Sequence, residues 1–423
     1  MSRPRVVVTG LGCITPAGND VATTWEHFLA GKSAVQTVDA LKEAKCQVTI
    51  GAPVRNFDPG LLEVRQDVDR IGRSSQFALS AALQAWRDAG LAGSDLDPAR
   101  LGAVIGTGIG DQAETYQQTQ KFLARGARAI HPLYVTKVML NAAVGLVSVE
   151  FGLAGPSFAV ASACASGGHA IGSALRLLQA GDADLVLTGG VEECFTCVMN
   201  PASFDAMRAL SRRNSEPELA SRPFDRGRDG FVLGEGAGML VLETLDHAVR
   251  RKARIYAELS GVGMTSDAHH LTAPDPSGKG AERAMALAIR DAGWTPQDVQ
   301  YVNAHGTSTP LNDRTETLAI RKVFGPHADR LCVSSQKSMI GHLIGASAAV
   351  SLVATVLSIA HGRVPPTINL DQPDPECDLD YVPHRARTLS VERALVNSFG
   401  FGGHCVTLGV SRFRPLESTA GAN

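Results

Sequence analysis

Apolar positions along this chain follow two alternating rhythms. Short continuous runs, such as Arg5-Val-Val-Val-Thr-Gly-Leu-Gly12 and Arg254-Ile-Tyr-Ala-Glu-Leu-Ser-Gly-Val-Gly263, predict buried strands that end in glycine turns. Between such runs, apolar residues return every three or four positions, as at Ile171, Ala174, Leu175 and Leu178, and predict helices. Strands alternating with helices in this way imply an α/β protein with mainly parallel sheets covered on both faces. Loops are expected at Gly110 to His131, Arg212 to Gly230 and Thr265 to Gly280.

The pattern occurs twice. Besides the two strand runs, Ala85-Trp-Arg-Asp-Ala-Gly90 returns as Ala288-Ile-Arg-Asp-Ala-Gly293, and each precedes a strand, Leu101 to Gly108 or Val299 to Gly306. The helix after Cys164 carries Ile171-Gly-Ser-Ala174, and the one after Lys337 carries Ile344-Gly-Ala-Ser347. Phe231 to Leu242 and Val396 to Leu408 each read as two strands hinged on glycines. Four echoes in one order predict a tandem duplication with its seam in Thr244 to Arg254. The halves are then residues 1–252 and 253–412, followed by a flexible tail at 413–423. The helices after Cys164 and Lys337 are apolar nearly all round, which predicts burial between two sheets.

Composition narrows the function. A chain of 423 residues with 44% hydrophobic content buries a large core. A formal net charge of −2 with 19% charged residues gives no overall field for nucleic acid or an anionic membrane. The N-terminal apolar run is too short for a signal peptide, and no uninterrupted apolar segment approaches membrane-spanning length, so a cytoplasmic address is expected. Eight scattered cysteines then imply reduced thiols. Cys194-Phe-Thr-Cys197 has no second pair and no histidine at ligand spacing, so no metal is expected. Glu235 within Gly234-Glu-Gly-Ala-Gly238 would repel a phosphate, and no Gly-Lys-Ser/Thr follows a glycine at P-loop spacing.

Candidate chemistry begins at Cys164, where a strand-like run ends and a helix begins. A helix N-terminus favours a thiolate, although a cysteine taken alone is more often a small buried hydrophobe. Two histidines lie in the second half, His305 at a strand end in Asn303-Ala-His-Gly-Thr307-Ser-Thr309-Pro310 and His342 at the repeat-equivalent end of the next element in Lys337-Ser-Met-Ile-Gly-His342. The duplication puts their loops around the same pseudo-twofold axis as Cys164. One Cys–His pair suits hydrolysis or acyl transfer. Two neutral imidazoles donating N–H groups to one oxygen suit a developing enolate, which points to carbon–carbon bond formation on a thioester. The turn Phe399-Gly-Phe-Gly-Gly403 offers unobstructed backbone N–H groups for an oxyanion.

With these residues laid out, the chain resembles the β-ketoacyl-acyl-carrier-protein synthases of the thiolase-fold condensing enzymes, most of all the type II elongating synthases. The resemblance covers about residues 4 to 412 and rests on Ser162-Ala-Cys164-Ala-Ser-Gly167, Pro223 to Gly238, Asn303 to Pro310, Lys337 to His342 and Asn397 to Gly403. It implies a thiolase-like fold of duplicated α/β halves in a layered αβαβα arrangement. It also implies an acyl chain carried on Cys164, with His305 and His342 assisting malonyl decarboxylation and condensation in fatty-acid elongation. Further implied roles are Lys337 paired with Glu316 to order the site, backbone N–H groups of Cys164 and Phe401 as oxyanion hole, and Phe401 as gate. Thr307 and Thr309 would hold the pantetheine arm, and Ile109 and Phe204 would line the acyl pocket, with Tyr134 reaching across a homodimer interface. No cofactor is implied, because the substrates ride on the phosphopantetheine arm of acyl carrier protein.

The sequence departs from the family pattern in three places. Gly403 is followed by His404-Cys405, Gly110 by Asp111-Gln-Ala, and Asp67 and Asp69 dilute Arg65, Arg70 and Arg73. That leaves Arg125, Arg128, Arg208 and Arg212 as the expected carrier-protein contacts. A thiolase would carry Asn at position 305 and a second reactive cysteine just before the last glycine turn, where Phe399 stands. A non-catalytic chain-length partner would lack the nucleophile. A ketosynthase of a polyketide or specialised lipid pathway would use the same residues and stays open.

Overall fold

The computed structural model describes residues 3–65, 67–94 and 96–415. In the first half, strand β1 (Val6–Ile14) is followed by helix α1 (Arg73–Asp88), β2 (Leu101–Gly106), α2 (Gln112–Arg125), α3 (Tyr134–Val138) and α4 (Ala142–Phe151). Then come β3 (Ser157–Val160), α5 (Ser166–Ala180), β4 (Leu185–Glu192) and β5 (Gly236–Thr244). The second half repeats this plan with β6 (Ala257–Ser266), α6 (Lys279–Asp291), β7 (Tyr301–Asn303), α7 (Pro310–Phe324), β8 (Cys332–Ser334), α8 (Ser347–His361), β9 (Arg393–Gly400) and β10 (His404–Ser411).

The ten strands form one sheet in the order β3-β2-β4-β5-β1-β6-β10-β9-β7-β8, so each half contributes five strands in mirrored sequence. Expected as two sheets, the halves are joined at β1 and β6 by only two residue pairs, Val7 with Glu258 and Val8 with Ala257. Nor is the sheet mainly parallel. In each half the two outermost pairings are parallel and the two nearer the seam antiparallel. Helix α5 touches β2 and β4 of its own half and β6 and β10 of the other, while α8 touches β4, β5 and β9. The two helices therefore lie between the sheet halves, with α1 on β1 and β5 and α6 on β6 and β10 as outer layers.

Burial explains the sequence pattern. Ile171, Ala174, Leu175 and Leu178 of α5 are fully buried and share a core with Val350, Val353 and Leu357 of α8. Ile344–His361 is long and apolar enough to cross a membrane, contrary to the expectation that no segment reaches that length. It is instead the buried central helix of the fold, which is why it lacks a polar face.

The Arg-Asp-Ala-Gly echo also has a physical cause. Asp88 at the end of α1 accepts the Leu11 N–H at 2.9 Å, and Asp291 at the end of α6 accepts the Val262 N–H at 3.0 Å. These strands do not stop at their glycines, as expected from the sequence, but run through them so that the helices can approach. A Cβ on Gly12 would lie 1.9 Å from the Ala81 carbonyl oxygen, and one on Gly263 1.9 Å from that of Ala284.

Other expectations need correction. The segment Gly110 to His131 is mostly helix α2, capped by the Asp111 side chain on the Glu114 N–H; its polar outer surface hid the period. Of the two pairs of strands hinged on glycines, only β9 and β10 form a hairpin, because Phe231 to Glu235 runs outside the sheet before β5. The Ile344 echo is out of step: Ile344–Ala346 forms the turn before α8, just as Ala163–Ala165 forms the turn before α5. In the proposed tail, Phe413 packs beside Val7 and Leu245 and Arg414 pairs with Glu392 at 3.0 Å, so these two residues are anchored. Residues 416–423 lie outside the described residues.

Replacing Gly12 with Ala is expected to destabilise the protein by at least about 3 kcal/mol, since a methyl group would displace a helix backbone. Gly181→Ala, at a left-handed helix end with nothing within 4 Å, should cost only about 1 kcal/mol. Urea denaturation of both variants checks the contrast, and equal losses would show that close packing is not the constraint.

Candidate active site

Cys164 occupies the middle of the turn between β3 and α5. The turn starts with Ala163 in the left-handed region at φ 51°, a conformation that costs a non-glycine residue about 1–2 kcal/mol. Neighbours hold it there. The Ser166 hydroxyl donates to the Ala163 carbonyl at 2.7 Å and accepts the Ser162 N–H at 2.8 Å, and the Ser398 hydroxyl donates to the Cys164 carbonyl at 2.9 Å. The backbone N–H groups of Phe401 and Cys164 both act on the thiol. Gly400 makes this approach possible, because a Cβ there would lie 2.8 Å from the Ser162 oxygen and 3.1 Å from the Cys164 nitrogen.

The thiol is not the resting thiolate that a helix N-terminus suggests. Burial pushes it up to about 12, more than the Phe401 N–H and the charge of Lys337 pull it down. Desolvation outweighs the helix terminus because Cys164 is buried between the two halves.

His305 and His342 meet edge to face, with ring centroids 5.2 Å apart. His305 follows β7, its ring also packs against Phe399, and its Nδ1 is buried without a hydrogen-bond partner. His342 donates its backbone N–H to the Val232 carbonyl at 2.7 Å, and its Nδ1 lies 2.8 Å from the Ser347 hydroxyl. Burial holds both imidazoles well below their ordinary range, and the Lys337 charge adds to the shift. Both are neutral near pH 7.

Glu316 and Lys337 are not a contact ion pair, which corrects the expected pairing. The Glu316 carboxylate, on the buried face of α7, accepts the N–H groups of His305 and Gly306 at 2.8 Å each and the Asn397 amide at 3.0 Å. It therefore fixes the backbone that carries His305. Lys337 feels Glu316 only through its field: burial lowers the amine to about 8, while Glu316, Cys164 and Asp313 hold it up.

A cavity of about 330 Å³ brings the distant segments together. Cys164, His305, His342, Thr307, Thr309, Phe401, Phe204 and Arg208 line it. Thr307 and Thr309 stand with their hydroxyls 3.0 Å apart, and Thr309 also caps α7. Among the other sequence candidates, Ile109 does not line this cavity but packs in the apolar cluster containing Cys164, Ile344 and Phe204. Tyr134 is half-buried at the start of α3 and belongs to neither group. Arg125, Arg128 and Arg212 are exposed. Cys405, one of the departures from the family pattern, lines the cavity with its sulfur 3.7 Å from Asp267.

Sequence reasoning missed Glu192. Fully buried at the end of β4, its carboxylate accepts the N–H groups of Gly108, Ile109 and Gly110 at 2.7, 3.0 and 3.1 Å, the Thr107 hydroxyl at 3.0 Å and the Gly345 N–H at 3.0 Å. It ties the Ile109 loop of one half to the Ile344 turn of the other. An acidic residue ending a continuous apolar strand was the available signal.

Sequence models described as "Beta-ketoacyl synthase, N-terminal domain" and "Beta-ketoacyl synthase, C-terminal domain" match residues 3–248 and 256–371. The chain belongs to the β-ketoacyl synthase family. A family member from Coxiella burnetii (strain RSA 493 / Nine Mile phase I), named 3-oxoacyl-[acyl-carrier-protein] synthase 2, is 46% identical over 412 residues, covering 97% of this chain and 99% of that protein. A solved β-ketoacyl synthase from Burkholderia phymatum STM815 superposes with a TM-score of 0.90 at 35% identity, covering 97% of this chain and 100% of that one. A type II polyketide ketosynthase, solved in complex with its acyl-carrier protein and bound to the hexaketide, gives 0.91 at 34% identity, with 98% and 100% covered. Ketosynthases of the thiolase fold thus share the architecture throughout.

The buried imidazoles set a pH dependence. Their folded pKa values lie below the ordinary 6.5, so below pH 6.5 the unfolded chain binds protons that the folded site refuses. Stability carried by each histidine is then lost at about 1.4 kcal/mol per pH unit as pH falls from 6.5. His342→Gln should flatten the fall in stability between pH 7 and 5 by about one proton relative to the parent, measured by urea denaturation at each pH. Parallel profiles would show that His342 titrates normally.

Proposed function

We propose that this β-ketoacyl synthase catalyses decarboxylating Claisen condensation of an acyl thioester on Cys164 with malonyl-acyl carrier protein. The products are 3-oxoacyl-acyl carrier protein and CO2, in fatty-acid chain elongation. One observation carries the reading: a buried thiol flanked by two backbone N–H groups shares a cavity with two neutral imidazoles. A hydrolase or plain acyltransferase has no use for the second imidazole.

In the first half-reaction the phosphopantetheine arm lies along Thr307 and Thr309 and presents its acyl thioester to Cys164. The carbonyl oxygen sits between the N–H groups of Cys164 and Phe401, which stabilise its charge as sulfur adds. A new thioester forms as the old one breaks, and the proton leaving Cys164 is balanced by the one taken up by the departing pantetheine thiol. A neutral resting thiol therefore suits the exchange.

In the second half-reaction Phe401 acts as gate, and malonyl-acyl carrier protein enters. Loss of CO2 leaves an enolate whose oxygen is held by N–H groups of His305 and His342. The carbanion attacks the acyl thioester on Cys164, the carbon–sulfur bond breaks, and a solvent proton restores the thiol. Burial, reinforced by the ammonium of Lys337, keeps both imidazoles neutral, while Glu316 positions His305 through its backbone. Ile109 and Phe204 border the acyl chain.

A soluble cytoplasmic homodimer binding acyl carrier protein through Arg125, Arg128, Arg208 and Arg212 completes the proposal, with Tyr134 of each protomer closing its partner's acyl pocket. Exposure of Phe158 on edge strand β3 supports a partner there, and Val135 and Met139 beside Tyr134 in the chain are exposed as well. The 46% identity to a protein named for 3-oxoacyl synthesis, against 34% to the polyketide ketosynthase, favours fatty-acid elongation over a specialised pathway.

Cys164→Ala should abolish condensation, whereas His305→Ala or His342→Ala should retain single-turnover acylation of Cys164 and lower malonyl decarboxylation roughly 100-fold or more. Lys337→Ala should behave like the histidine variants. Intact mass follows acylation and CO2 release follows decarboxylation; parental decarboxylation in both histidine variants would refute the two-donor mechanism. Ile109→Phe should shorten the accepted acyl chain, each lost methylene contact costing about 0.8 kcal/mol. An unchanged product profile would remove Ile109 from the pocket, and a monomer by light scattering would remove Tyr134.

A further inference from the structure

The two imidazoles are held in different ways, and the difference traces to one hydroxyl. Ser347 opens α8 at the position where Ser166 opens α5, each following a three-residue turn. Ser166 spends its hydroxyl on the backbone, bonding both Ser162 and Ala163. Ser347, with 4% exposure, makes its hydrogen bond to His342 Nδ1 at 2.8 Å instead, and no other hydrogen bond of its hydroxyl is found among the described residues. His342 is 3% exposed and lines the cavity, whereas His305 has no partner on Nδ1.

We propose that Ser347 is a positioning residue that fixes His342 as the Nε2–H tautomer by donating its hydroxyl to Nδ1. The inference deepens the proposed condensing mechanism and rests on it for its kinetic consequence. Hydrogen-bond accounting chooses between the tautomers. Were Nδ1–H to donate to Ser347, the serine O–H would be a buried donor with no acceptor, and Nε2 would turn a lone pair toward the enolate oxygen. With the serine donating, only a hydroxyl lone pair is left over. The Nε2–H then faces the cavity, ready to donate to the oxygen that gains charge. The bond also fixes the ring's rotation, so His342 is preorganised by Ser347 while His305 is oriented by packing against His342 and Phe399.

The test is nitrogen NMR of the full-length protein labelled with 15N-histidine at pH 7.5, His342 being assigned by the signals lost in His342→Gln. The parent should show a protonated Nε2 and an acceptor-type Nδ1, and Ser347→Ala should show a mixture of tautomers. In kinetics, Ser347→Ala should lower malonyl decarboxylation about 10-fold, with KM for malonyl-acyl carrier protein within about twofold and acylation of Cys164 unchanged, and Ser347→Thr should restore most of the rate. A protonated Nδ1 in the parent overturns the proposal, as does a Ser347→Ala variant that keeps both the single tautomer and the parent rate. The tautomer is read in the resting protein, so it stands or falls even if Ser347→Ala does not fold. Parental decarboxylation in both histidine variants would instead refute the condensing mechanism and leave the tautomer assignment intact.

Discussion

The active centre depends on backbone touching backbone where the two halves cross. A Cβ on Gly190 would lie 2.3 Å from the Gly345 carbonyl oxygen, and one on Gly345 would lie 2.6 Å from the Gly108 nitrogen. No side chain fits between β4 and the turn before α8. This approach brings the Cys164 turn of the first half and the His342 segment of the second to one cavity. It also buries polar backbone groups of both turns, which must be satisfied internally. Around them two carboxylates gather backbone N–H groups: Glu192 those of the Ile109 loop and Gly345, and Glu316 those of His305 and Gly306.

The same burial sets the charge state of every group in the site. Desolvation raises the thiol, lowers both imidazoles and lowers the lysine, so charge is scarce before substrate arrives. Such an interior suits chemistry that creates an anion briefly and consumes it by bond formation. Water, the competing proton source for an enolate, finds few charged groups to hold it there. The fixed donors need little reorganisation when the charge appears.

Much of this was legible in the sequence, for identifiable reasons. Gly12 and Gly263 recur because two helices must approach two strands in the same way, and Asp88 and Asp291 recur because each approach leaves a strand N–H to satisfy. Cys164 and His305 stood out because each sits among small residues after an apolar strand, and His342 because it follows Gly341 in the corresponding segment of the second half. Where reading failed, the deciding term was tertiary. Helix α2 has too few buried positions to show its period; the field of Lys337 and the depth of Cys164 depend on neighbours from both halves. Contact partners are equally invisible: Glu316 reads as a partner for a lysine, but the amides of His305 and Gly306 lie closer at hand. Glu192 and Ser347 carry no motif because they act on backbone and on a ring nitrogen.

The two halves carry turns of one design, and they are put to different uses. Gly345 stands in the turn before α8 where Cys164 stands in the turn before α5. Its N–H is already occupied by the Glu192 carboxylate, whereas the matching N–H of Cys164 is the one proposed for a substrate oxygen. Among the described residues the Cys164 N–H has no such carboxylate, and it acts on the thiol. The two turns share a backbone plan, but only the first carries a thiol, and the second half reaches the same cavity with its histidines instead.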